Sequence, residues 1–392
     1  MTDKKAVREP LFHISRRGDI SLGKAVLIRA AAIVAGLILC SVLCTLIFEE
    51  ANPFSVIAEL FSGNFGTSRR IWMLLRDTSL LLIAGLALLP AFKMKFWNLG
   101  GNGQILIGML AAITCMFYMG GKVADGWIIL CMTVSSLLAG AIWAVIPAIF
   151  KAFFKTNETL FTLMMNYIAV GIVGFCINKW VTSGSNTLAP IKYGNFPELG
   201  NEYVLIILVA AVVTAAIFAY MKYAKHGFEV AVVGESENTA RYVGINIKKV
   251  VIRTMALSGA LCGIVGLLLA GAVHHTISET SAGNMGFTAI MVAWLAKFNP
   301  LVMIFTAFFI SFLDRGMGQV QTAFGITNDA VSDIIIGLIY FCVIGCEFFI
   351  SYKVKLRKKK KAAGEGADFM HGEAISAEET PSSADGADKE EK

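Results

Sequence analysis

Charge is scarce in this chain: only 16% of its 392 residues are Asp, Glu, Lys or Arg, against roughly 25% in soluble proteins. A soluble domain of this length needs a charged surface, so the deficit argues against that class. No G-x-x-x-x-G-K-[ST] phosphate loop occurs, so the chain cannot hydrolyse ATP by that route. Neither a G-x-S-x-G elbow nor an H-E-x-x-H zinc motif is present, and no catalytic residue is assigned. The five histidines form no H-x-x-x-H or Cys/His cluster, which leaves no metal site. Eight cysteines fall mostly in apolar runs; the pairs Cys40/Cys44 and Cys342/Cys346 each share a helix face, without metal-ligand company. No paired carboxylates are visible inside the apolar runs. Only Arg29 and Arg76 fall in or near one, each close enough to an end to snorkel. An ion-coupled carrier buries ionisable groups at mid-span, where each costs about 2.5–3.5 kcal/mol, so that class is disfavoured.

What the chain has is oil. It is 56% hydrophobic, with a mean hydropathy of +0.67. A membrane-spanning helix needs about 20 apolar residues. Candidate spans lie at 25–48, 72–92, 104–120, 127–150, 159–178, 203–221, 252–273, 287–297, 300–313 and 332–351. The eighth and ninth are short and flank Phe298-Asn299-Pro300, so they form a hairpin of partial helices or one kinked span. The first run is too long for a signal peptide and lacks a small-x-small cleavage site, so it stays as a span. The expected fold is an all-α polytopic membrane protein with about ten transmembrane segments.

Positive charge orients it. With the N-terminus inside, the arm 1–24, the turns at 93–95 and 151–155, residues 222–253, Lys297 and residues 353–361 carry about 24 Lys and Arg, against about six on the other side. Both termini are therefore expected in the cytoplasm. The chain divides into a basic arm (1–24), an apolar membrane body (25–352) and a tail (353–392), basic and then acidic. From Ala362 onward the tail has Phe369 as its only aromatic and is expected to be disordered.

Three polar interruptions stand out. Residues 93–104 contain Asn98, Gly100, Gly101, Asn102, Gly103 and Gln104, which cannot sustain a regular helix. They form either a tight turn or a broken element near a pathway, since irregular backbone at membrane depth must be surrounded by protein or water. Glu158, Thr162 and Asn166 are spaced by four and stack on one helix face behind the cap Asn157, either joining helices or lining a path. Gly259 and Gly263 permit close helix packing, and His274, His275 and Glu279 fall in a short outer loop. The third interruption, 222–253, is the long polar island within the apolar body. Its Gly234-Glu235-Ser236-Glu237-Asn238-Thr239-Ala240-Arg241-Tyr242 reads as a short capped helix outside the membrane, closed by Gly244 and offering Arg241 and Tyr242 to a partner.

With these segments in place, the chain resembles the inner-membrane permeases of ATP-binding-cassette importers for nucleosides and simple sugars that work with basic-membrane-protein-type lipoproteins. The similarity covers about residues 25–352. It rests on Asn98-Leu99-Gly100-Gly101-Asn102-Gly103-Gln104, Asn157-Glu158 with Met164-Met165-Asn166-Tyr167-Ile168-Ala169, Gly234 with Ala240-Arg241-Tyr242-Val243-Gly244-Ile245, and Gly286-Phe287-Thr288-Ala289-Ile290 followed by Asn299-Pro300. The family's acidic residue in the first motif is Asn102 here. The resemblance implies a multi-pass subunit of a bacterial plasma membrane with four partners besides the lipids. These are an ATPase with two nucleotide-binding halves, a second permease, a substrate-capturing lipoprotein and the transported nucleoside; no nucleic acid is implied. ATP would be bound by the ATPase, and this chain would hold no cofactor. Gly234, Glu235, Asn238, Arg241, Tyr242 and Gly244 would form the coupling helix, and Asn98, Asn102, Gln104, Thr162 and Asn166 are candidates for the translocation path. A pentose or hexose permease is the alternative within the class, and a stand-alone secondary carrier the alternative outside it.

Overall fold

A computed structural model describes residues 12–16, 22–47, 52–181, 187–197, 200–325, 334–342, 345 and 352–356. The chain divides into two units, Met1–Ile20 with Phe349–Lys392, and Ser21–Phe348. In the first, β1 (Phe12–Arg16) pairs antiparallel with β2 (Tyr352–Leu356), Phe12 opposite Leu356 and Arg16 opposite Tyr352. The all-helical expectation has no place for this ribbon. Its signal is the period-two alternation Phe12-His13-Ile14 and Tyr352-Lys353-Val354-Lys355-Leu356, which a count of lysines conceals. The acidic stretch 362–392 lies outside the described residues.

The second unit is helical. α1 spans Leu22–Ile47, α2 Pro53–Phe65, α3 Ser68–Lys93, α4 Gly101–Met119, α5 Asp125–Phe154, α6 Glu158–Trp180 and α7 Val204–Tyr223. Two short helices follow, α8 (Lys225–Glu235) and α9 (Glu237–Tyr242). Then come α10 (Ile247–Leu268), continued by a π-helical turn at Leu269–His274, α11 (Met285–Leu295) and α12 (Pro300–Ala323), while residues 334–342 are also helical.

Seven of these, α3 to α7, α10 with its π turn, and α12, are long and apolar enough to cross a membrane. The polytopic helical class is therefore right, and the sequence-derived boundaries shift in three places. α12 runs ten residues past the expected end at 313. α11 is too short to cross alone. α2 is an extra amphipathic helix between the first two spans, started by Asn52 and Pro53, whose Asn64 donates to the Phe312 carbonyl of α12 (2.9 Å).

Caps fix several helix starts. Thr67 accepts from the Arg70 amide, Asn157 from those of Thr159 and Leu160, Asn246 from Lys249 and Asn299 from Leu301. α3 and α10 form the centre, each 67% buried along its most apolar stretch, whereas α5 and α7 are only 28% buried and turn the rest outward. The centre closes through small residues. A side chain at Gly259 would strike the Gly140 carbonyl of α5, one at Gly263 the Ser136 carbonyl, and one at Gly266 the Ile105 carbonyl of α4. Ser136 Oγ reaches the carbonyls of Gly108 and Gly263 at 2.8 and 2.7 Å, so α4, α5 and α10 meet backbone to backbone.

Candidate functional site

The polar island resolves into the last turn of α7, both short helices and the first turns of α10. Ser236 caps α9 by accepting from the Thr239 amide at 3.3 Å. Gly244, at φ +81°, ends it, where Ile245 bonds back to the Ala240 carbonyl. The bracketing glycines thus differ in role. Gly244 supplies the left-handed turn, and Gly234 closes α8 where a side chain would strike the Lys93 carbonyl of α3. Ala240 is fully buried beneath α9, while Tyr242 is 92% exposed and Arg241 reaches only Glu237 of its own helix, at 3.6 Å. Glu235 lines a cavity of about 260 Å³ with Lys95, Lys151 and Glu158, and Asn238 lies on the outer side of α9.

Below, an apolar cluster of Met94, Phe96, Ala148, Val230, Val233 and Met255 roots α8 and α9 on the end of α3 and on α10. Glu229 clamps α8 to α10 through Arg253 (2.6 Å) and also contacts His226. The hydrogen bond from Arg253, and then that from His226, holds the Glu229 carboxyl below its ordinary value, against the opposing effect of burial.

The same apolar turn leads into the first break. α3 ends as Lys95 adopts φ +61°, with Phe96 bonded to the Ala91 carbonyl. The chain then rises without helix to Gly100, and α4 starts level with Ser258, halfway along α10. Asn98, fully buried, accepts from the Gly100 amide (3.0 Å) and Gln104 Nε2 (3.2 Å), and its own amide nitrogen faces Ser258 Oγ. Thr162 accepts from the Leu99 amide (3.1 Å). Asn166 spans the break, accepting from Gly103 and donating to the Leu99 carbonyl, both at 2.8 Å. Asn102 accepts from the Gly286 amide (2.8 Å).

All five candidate path residues therefore meet in one knot, and these hydrogen bonds go to the broken backbone or to one another. Residues 94–100 thus run without helix between α3 and α4, with Asn98 buried in protein. At Asn102, an amide carbonyl does what the family's carboxylate could do as an acceptor.

Gly286 opens the second break. After the π turn, residues 275–284 carry no helix. They are strapped by the segment 187–197 through Ile191 to the His275 carbonyl (2.8 Å) and Phe196 to the Gly271 carbonyl (3.1 Å). Glu279 lies against Gly174 of α6. α11 then runs towards the end of α3, where Trp294 stacks near Trp97 at 5.2 Å and Phe298 meets Phe92 at 6.1 Å. The N-terminal turns of α4 and α11 thus meet at the Asn102–Gly286 bond.

Beside α11, at the end away from α9, lies a cavity of about 340 Å³ between α3, α11, α12 and residues 334–342. Asp77 and Asp314 both line it. This corrects the expectation that no paired carboxylates lie inside the apolar runs: Asp77 falls within the run 72–92, and Asp314 enters because α12 extends past 313. Asp77 sits in the tenth position of α3 and binds Arg315 at 2.6 Å and Arg76 at 2.7 Å, so Arg76 is paired rather than snorkelling. The sequence signal was present: Arg76-Asp77 and Asp314-Arg315 are two adjacent opposite-charge pairs in apolar surroundings. Among the described residues, no group of three His, Cys, Asp or Glu could hold a metal ion.

Comparison with known proteins completes the description. A family model described as branched-chain amino acid transport system / permease component matches residues 70–344. The guanosine ABC transporter permease protein NupP of Bacillus subtilis is 26% identical over 324 residues, 80% of this chain and 90% of the relative. The nucleoside ABC transporter permease protein NupB of Lactococcus lactis subsp. cremoris is 26% identical over 375 residues, 89% of this chain and 98% of the relative. The glucose ABC transporter permease protein TsgB13 of Haloferax volcanii is 26% identical over 382 residues, 91% and 95% of the two chains.

Proposed function

This chain belongs to the family of branched-chain amino acid transport system permease components, and from that premise we propose that it is the membrane path of an ATP-driven importer of nucleosides. The family is a transport subunit of the membrane and not an enzyme, and an ATPase is its partner. Two of the relatives described above carry guanosine or nucleoside in their names, which favours nucleosides over the sugar reading. A lipoprotein that delivers substrate and a second permease complete the assembly.

The observation that carries the mechanism is one continuous connection. Exposed Arg241 and Tyr242 stand on a helix rooted on Met94 and Phe96, the residues that lead into the Asn98–Gln104 knot. The knot in turn holds the start of α11 through Asn102 and Gly286. Closure of the ATPase pushes α9, the rooted turn carries the displacement to the knot, and the spanning helix α4 and the short helix α11 shift together. The path alternates between outward- and inward-facing states, and non-helical backbone between packed helices is suited to such a motion.

In this reading α1, α3 to α7, α10, the stretch 275–295, α12 and the region from 334 onward make ten passages. Both termini and the basic α8–α9 end face the cytoplasm.

The test is uptake of labelled nucleoside by cells carrying the whole importer. Wild-type uptake should vanish when the ATPase is deleted, and excess nucleoside should compete far better than glucose. Replacing Arg241 and Tyr242 together by Ala should abolish uptake and loosen ATPase co-purification while the chain still inserts. Uptake that survives ATPase deletion would refute the importer reading, and wild-type coupling in the double variant would refute the role of α9.

A further inference from the structure

Resting on the nucleoside reading, we propose that the cavity between α3, α11, α12 and residues 334–342 is where this subunit itself contacts the nucleoside. Its volume of about 340 Å³ falls at the lower end of the roughly 300–1,000 Å³ typical of small-molecule sites.

Its polar groups are the stronger sign. Ser311 is 4% exposed and Tyr340 8% exposed, both line the cavity, and neither hydroxyl has a hydrogen-bond partner among the described residues. Neither oxygen is among the sealed, unpartnered atoms of the core, so both hydroxyls stay open to the cavity and offer an occupant two groups that donate and accept. Asp77 and Asp314 add acceptors, and Asn284 and Thr288 at the start of α11 add groups that can both donate and accept. The remaining wall, including Leu81, Met285, Met291 and Ile310, is apolar and suits the face of a flat base.

Charge selects further. Two carboxylates offset Arg76 and Arg315, and a guanidinium nitrogen of each arginine is already bound to Asp77. A neutral solute rich in hydroxyl and N–H donors fits this balance, whereas a nucleotide phosphate would face two acidic side chains without a free basic clamp. The cavity ends at Met285, next to the Gly286 amide held by Asn102, so an occupant sits beside the connection through which α9 acts.

The test uses the assembled importer in membranes. Ser311→Cys should react with a small water-soluble methanethiosulfonate, above the wild-type background from native cysteines. Excess nucleoside should slow that reaction severalfold, while the corresponding nucleoside monophosphate should not. Ser311→Ala should lower uptake at subsaturating nucleoside by about threefold to tenfold, the worth of one hydrogen bond to a neutral partner, with ATPase co-purification unchanged. If the thiol introduced by Ser311→Cys is unreactive, or equally reactive with and without nucleoside, the assignment is overturned. So would unaltered uptake in Ser311→Ala overturn it. Failure of wild-type uptake would instead remove the nucleoside reading on which the site rests, and that control is run first.

Discussion

The α3–α4 break and the break before α11 place irregular backbone at a similar depth but treat their polar groups in opposite ways. At the first, Asn98, Thr162 and Asn166 bind the Leu99, Gly100 and Gly103 amides and the Leu99 carbonyl, Gln104 braces Asn98, and the knot is nearly sealed from solvent. At the second, one amide, that of Gly286, is held by Asn102, while the flank opens on a cavity where Ser311 and Tyr340 have no partner among the described residues. Irregular backbone inside a membrane protein must be satisfied by something. Where the protein supplies every partner, the break is a joint that transmits motion as a unit. Where it leaves groups open, the break can take a ligand.

The largest effect is expected where the breaks touch. A Cβ at Gly286 would run into the Asn102 amide and the Gly101 carbonyl carbon, both backbone atoms that cannot swing aside. Gly286→Ala should therefore cost more than the roughly 1–3 kcal/mol of ordinary overpacking, and should remove folded complex from membranes. Gly318→Ala in α12 meets no atom within 4 Å and should be neutral or stabilising by roughly 0.5–1 kcal/mol. Equal yields and melting temperatures for the two variants would show that the contact between breaks carries no load.

Next comes the contrast itself. Asn166→Leu leaves the Gly103 amide and the Leu99 carbonyl without their partner, at about 1–3 kcal/mol for each buried group. Thermal unfolding of the purified complex should shift down clearly, with uptake falling alongside. Ser311→Ala removes a hydroxyl with no partner among the described residues and should leave the melting temperature in place while uptake falls. If Ser311→Ala destabilises and Asn166→Leu does not, the assignment of joint and site is reversed.

How much of this was legible in the sequence follows from the physics of each signal. The long apolar runs and the polar island were plain, because span length and the capped pattern at Ser236–Tyr242 are local properties. The glycine and amide content of 98–104 announced a break. It could not say whether Asn98 and Asn166 face water or backbone, since that depends on Ser258, Leu99 and Gly103 arriving from three different elements. α2 was hidden because its apolar face is one side of a short helix, and β1–β2 because alternation was masked by lysines. Asp77 and Asp314 lie far apart in sequence and meet at one cavity only through the packing of α3 on α12.

The smallest expected effect tests whether the joint extends to the docking helix. Glu229 is held mainly by Arg253 and is pushed below its ordinary value of 4.5. A depressed carboxylate contributes its stabilisation in full above that ordinary value and loses it as pH falls through the lower folded value. Between pH 7 and pH 5 the wild type should therefore show no change from this group, and below about pH 4.5 the clamp of α8 on α10 should weaken. Glu229→Gln should lower the melting temperature slightly at pH 7, by an amount matching roughly 1 kcal/mol or less for a partly exposed pair. The gap to wild type should close as the medium is acidified through the lowered folded value, where both chains come to carry a neutral side chain at this position. ATPase co-purification should decline in the variant, since α9 continues directly from α8. A gap that is constant across that range would mean the Arg253 contact does not stabilise the docking end, and that α9 is held by the apolar cluster beneath it alone.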